Sequence, residues 1–171
     1  MTAHGRCDAD PLTTPQPTDS LRGGHVERND VIEDLNKLLR DEVAATETYR
    51  QALDKIRKDY GHDSRFQDLT RMLQDHEQAA AQLRAHIRQL GGVESQGSGA
   101  WGTWSNTVMG AARLLGDKAA LKALKEGEES GLKDYHAVID RAPAEMTDSM
   151  TSIVAREQEH VRQLDRMIEA A

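Results

Sequence analysis

Glu157 and His160 stand three residues apart in the segment IVAREQEHVRQL, a spacing that brings both side chains to one face of a helix. A carboxylate can bridge or terminate a divalent cation and an imidazole can ligate it, so this pair can reach one centre. Glu-x-x-His alone is weak, because a chain with 30% charged residues and seven histidines produces it by chance. Its weight comes from its setting. Met146, Met150, Ile153, Leu164 and Met167 recur around it at spacings of three and four, so the pair interrupts an apolar stripe.

Three other stripes carry an ionisable residue at the same relative place. Leu35, Leu38 and Leu39 lead to Glu42, with Tyr49 and Ile56 one and two heptads on. His76 lies between Leu73 and Leu83, and Glu128 between Leu124 and Tyr135. All five sit near the middle of their stretches, so antiparallel packing brings them to one level. Burying three carboxylates without partners costs several kcal/mol each, because an ion loses its hydration and gains nothing back. A pair of divalent cations would compensate them; a purely structural polar layer that sets helix register is the competing account. Tyr49 and Tyr135 each follow a candidate glutamate by seven residues. They either donate to ligand carboxylates from outside the site or fill a core that has only one Phe. The remaining histidines fall off this pattern: His4 and His25 in the first residues, His62 in a turn, His86 and His136 on solvated faces.

The elements that position these residues are helical. Residues 1–28 hold Pro11, Pro15 and Pro17 among Thr, Asp and Gly, and are expected to be a flexible tail; residues 29–171 are expected to form the folded unit. Helical patterning starts with Asn29 or Asp30 as cap and reaches Ile56, followed by a turn over Lys58 to Ser64. A second helix carries Phe66, Leu69, Leu73, His76, Ala80, Leu83, Ile87 and Leu90, and stops at Gly91 and Gly92. The Gly/Ser-rich stretch from Gly91 to Trp104 is long enough, at ~3.3 Å per residue, to run the length of a helix as a crossover. Trp101 and Trp104 are expected to pin it to the bundle. A third helix starts near Ser105, is punctuated at Gly116 and ends before Pro143, and a fourth follows. Four amphipathic helices without strand signals predict an all-α, antiparallel four-helix bundle with a long crossover between helices two and three.

Composition removes several functions. With 22 Lys plus Arg against 29 Asp plus Glu, a net charge of −7, there is no basic surface for nucleic acid. The apolar runs are far short of the ~20 residues that span a bilayer. Cys7 is the single cysteine, which excludes an internal disulfide and a cysteine-cluster zinc site. With no secretory h-region at the amino terminus, a cytoplasmic location is expected.

The residues resemble those of the ferritin-like superfamily, and specifically its small bacterial four-helix-bundle proteins related to bacterioferritin and rubrerythrin, over about residues 30 to 170. LNKLLRDEVAATETY is similar to the opening helix of bacterioferritin, which implies an iron-ligand role for Glu42, with Tyr49 matching a following tyrosine. EESGLKDYHAVI resembles the segment carrying a bridging or terminal glutamate, here Glu128. IVAREQEHVRQL resembles the segment in which Glu157 and His160 would be ligands. The second helix departs from the pattern: where di-iron members have Glu-x-x-His, this chain has His76 and Ala79, and a register shift of one gives Asp75 and Gln78. Five ligands stand where six are usual, so one metal, an asymmetric pair and no metal all stay open. The chain ends with its fourth helix, without the short fifth helix of cage-forming ferritins, so a storage shell is not expected. Met72 is not at a clear haem-ligand position, and no haem is expected.

Two functions follow. The first is a metal-dependent redox protein: iron, or manganese or zinc, held by Glu42, Glu128, Glu157 and His160 with His76 assisting, reacting with dioxygen or peroxide in an oxidative-stress setting. The second is a non-catalytic structural or partner-binding bundle, also stress-related, with a degenerate site. A homodimer is the expectation by analogy.

Overall fold

The computed structural model describes residues 19–60, 63–97 and 117–171, and its elements are four helices: α1 (Asp19–Tyr60), α2 (Ser64–Gln89), α3 (Asp117–Ile139) and α4 (Ala144–Ala170). There is no strand among the described residues. α1 starts at Asp19, ahead of the expected cap at Asn29 or Asp30, and continues through Tyr60 into the expected turn. No proline follows Pro17 before the helix, so nothing stops its first turns, although Gly23 and Gly24 each cost ~1 kcal/mol of propensity relative to Ala. The expected tail up to residue 18, the expected helix start at Ser105, and Trp101 and Trp104 lie outside the described residues.

α2 has legible ends. The Asp63 carboxylate accepts from the Arg65 backbone N–H at 2.8 Å, capping the amino terminus. At the other end Gly91 takes φ +74°, its N–H donating to the Arg88 carbonyl while that of Gly92 donates to Ile87, both at 2.9 Å. These are the paired bonds of a Schellman stop, which needs a left-handed residue at the position of Gly91. α4 begins directly after Pro143, whose ring presets φ for a helix start.

Cross-helix contacts give the topology. α1 runs antiparallel to α2, since Glu42 meets His76 and Tyr49 meets Met72, and antiparallel to α3, since Asp34 pairs with Arg141 and Lys37 with Asp134. α4 is antiparallel to α2 and to α3 through His160–Asp75 and Lys125–Asp165. α2 and α3 are therefore parallel and diagonal, and their connection has to travel the length of the bundle. Its first residues do so along α1: Asn36 Nδ2 donates to the Val93 carbonyl at 2.9 Å and Arg40 to Ser95 Oγ at 2.9 Å.

The core is divided. One apolar cluster gathers Leu35, Leu38, Leu39, Leu83, Ile87, Met150 and Ile153; the other gathers Leu53, Leu69, Met72, Leu121, Leu124, Leu164 and Met167. Each such side chain contributes ~1.5–3 kcal/mol by leaving water. Between the clusters lies a layer of buried polar groups. No described helix is long and apolar enough to cross a membrane.

Candidate metal centre

Each helix delivers its interrupting residue to that layer. Glu42, His76, Glu128, Glu157 and His160 are all 5% exposed or less, although they come from four different helices. They reach one another directly. His76 Nδ1 lies 2.8 Å from Glu42 Oε2 and its Nε2 lies 3.0 Å from Glu128 Oε1, so one imidazole spans two carboxylates from different helices. His160 Nδ1 is 3.2 Å from Glu128 Oε2. The tyrosines complete the frame, Tyr49 donating to Glu128 Oε1 and Tyr135 to Glu42 Oε1, both at 2.6 Å. Each phenol thus bonds the glutamate of the other's helix.

The electrostatics follow from burial and crowding. Burial alone would lower the His76 imidazole, but Glu128 and Glu42 outweigh it and push it well above the usual range. Burial opposes ionisation of Glu128 as well, yet His76 and His160 hold it well below the usual carboxylate range. Glu157 goes the other way: burial first, then Glu42 and Glu128, push its carboxyl well above that range. Tyr49 and Tyr135 are raised by burial and by Glu128 and Glu42 respectively, so both remain phenols.

One buried atom of the layer has no partner. Glu157 Oε2 makes no hydrogen bond, and a β-carbon added at Gly131 would stand 3.5 Å from it. A cavity of about 50 Å³ opens there, bordered by Asp41, Thr48, Gly127, Gly131 and Glu157, with room for an ion or a few waters. His76, Glu128 and His160 form one group of three donors whose atoms lie within 4.8 Å of one another; Glu42, His76 and Glu157 form a second. Carboxylate and imidazole donors in this number fit a first-row divalent cation.

Sequence reasoning passed over three residues. Asp75 Oδ2 lies 3.1 Å from His160 Nε2, so a proton on Nε2 donated to Asp75 leaves the Nδ1 lone pair facing the layer. Its signal was the neighbouring position to His76. Asp41, beside Glu42, has both carboxylate oxygens buried without partners, and burial and the charge of Asp134 raise it to about 7 against the pull of Lys37. His86, expected on a solvated face, is partly buried with neither ring nitrogen bonded, because the α2 stripe is wider than a strict heptad seam; His136 is exposed as expected. His25 lies within α1, while His4 and His62 fall outside the described residues.

A long-crossover, antiparallel four-helix bundle is the ferritin-like fold, and here it carries a carboxylate and imidazole layer at mid-height. More particularly, the chain belongs to the family described as Domain of unknown function (DUF2383), which matches residues 30–141. Among solved structures it is similar to one described as ferritin like, diiron-carboxylate proteins from Bacillus anthracis str. Ames, with 19% identity, a TM-score of 0.68, and coverage of 83% of this chain and 97% of that one. That likeness is one of fold. None of the curated proteins compared with the chain matches it.

Proposed function

We propose that this protein binds ferrous iron in the mid-bundle layer and supports its redox reaction with dioxygen or peroxide. The observation that carries this is the convergence of Glu42, His76, Glu128, Glu157 and His160, from four helices, into two donor groups each within 4.8 Å. The diiron-carboxylate description of the similar Bacillus anthracis structure supports iron over manganese or zinc. Bound iron would supply electrons and a Lewis-acidic site for oxygen.

The chain's own residues do the rest. Glu42, Glu157 and His76 would hold metal on one side, and Glu128, His160 and His76 on the other. Asp75 orients the His160 ring, and Tyr49 and Tyr135 fix one oxygen each of Glu128 and Glu42, whose other oxygens face the imidazoles of His160 and His76. The apolar clusters above and below keep bulk water out, which strengthens every charge interaction in the layer. A cytoplasmic, homodimeric protein belongs to the same reading, its assembly measurable by light scattering.

A specific observation favours a second account. His76 already pairs with both Glu42 and Glu128, its single charge offsetting one of theirs, and the phenols satisfy them further, so a metal-free structural layer in a partner-binding bundle is nearly complete without Glu157. Elemental analysis after loading with ferrous, manganese or zinc ion and desalting separates the two. Retained metal that disappears in Glu157→Ala/His160→Ala supports the first reading, and oxygen consumption on ferrous addition supports its redox part. No retained metal leaves the structural bundle. Glu159→Ala is the control, since Glu159 faces outward onto Arg162 and Arg166.

A further inference from the structure

We propose that His76 is a bridging ligand, holding one divalent transition-metal ion on Nδ1 with Glu42 and Glu157, and a second on Nε2 with Glu128 and His160. This rests on the metal reading above and goes beyond it in assigning two ions and the group that bridges them through separate ring nitrogens. The two donor groups share His76 and no other residue. The in-plane lone pairs of an imidazole diverge, so one ion cannot use both nitrogens, yet both are aimed at carboxylates, at 2.8 Å and 3.0 Å. The ring is held in that plane by neighbours: Tyr49 lies with its centroid 5.2 Å away and His160 packs edge-on at 5.3 Å.

Charge gives an independent argument. Two divalent ions bring four positive charges, and three carboxylates with an imidazole stripped of its last N–H proton bring four negative ones. The buried layer is then neutral, as burial between two apolar clusters favours. On loading, both ring nitrogens form bonds to metal, and the two N–H protons of the His76 imidazolium leave to solvent. Read this way, His76 on the second helix is a functional exchange: an imidazole takes over the bridging that carboxylates perform elsewhere.

Zinc is the probe, on the full chain. Wild type should retain about two zinc per chain, Glu157→Gln and His160→Gln about one each, and His76→Ala close to none. Two zinc ions retained by His76→Ala would overturn the bridge while leaving the metal reading intact. One zinc in wild type would do the same, and none in wild type would end both. X-ray absorption of zinc-loaded wild type needs no variant to fold. The bridge predicts three imidazole bonds shared by two ions and no metal–metal distance at the ~3.5–4 Å typical of closely bridged pairs; a distance in that range overturns it.

Discussion

Asp41 takes both carboxylate oxygens out of water without a hydrogen-bond partner, beside Asp134 and Glu42, and its pKa rises to about 7. A raised carboxyl stabilises the fold most below its unfolded pKa and loses that contribution as pH rises through the folded value. Asp41→Asn should therefore gain on wild type between pH 4 and pH 8 and hold a constant advantage above that, on the order of 1 kcal/mol after allowing for solvent screening of a partly exposed group. Urea midpoints at pH 4, 6 and 8 check this; an advantage that is flat across that range would show that Asp41 keeps an ordinary pKa. Asp75 acts differently, since it serves His160 by orientation. Asp75→Ala should weaken zinc binding ~10–100-fold with helix content unchanged, read by competition with a chromophoric chelator. Unchanged affinity would mean that Glu128 alone orients the ring.

At the scale of the helix, the stop of α2 combines two different demands on glycine. Gly91 needs φ +74°, whereas a β-carbon at Gly92 would meet Ile32 Cγ2 at 2.7 Å and Ile87 Cγ2 at 3.1 Å. Gly92→Ala should destabilise by ~1–3 kcal/mol through that overlap. Denaturant unfolding of the two proteins measures it; equal stability of Gly92→Ala and wild type would show that the α1–α2 contact is loose. This stop was legible from the sequence, because paired glycines after a strict apolar stripe have one structural use. The start of α1 was not, since Gly23 and Gly24 mimic a linker while the chain after Pro17 contains no helix breaker strong enough to matter. The five polar interruptions were legible for the same reason as the glycine stop: each breaks a period that its neighbours keep. Asp75 and Asp41 were hidden because each stands one position from a residue on the stripe, where only packing shows that it turns inward.

Across the whole molecule, the polar layer cuts one core into two, so its own free energy decides whether the halves cooperate. Without metal, Glu157 is the weak member: it is buried, unpaired at Oε2 and crowded by Glu42 and Glu128, all of which oppose its charge. Removing that charge with Glu157→Gln should leave metal-free protein as stable as wild type at acid pH and more stable as pH rises, because a raised carboxyl costs stability as it ionises. With metal the sign reverses. An ion that binds only the folded chain adds about 2.7 kcal/mol at a hundredfold excess over its Kd, enough to raise the Tm of a bundle this size by roughly 5–10 °C. Wild type should show that rise with zinc, and Glu157→Gln should lose most of it despite being the more stable apoprotein. A variant that stabilises one state and fails the other separates the readings by direction alone. If zinc leaves the wild-type Tm unmoved, the layer is structural, and the linking of Glu42 to Glu128 through His76 is its function.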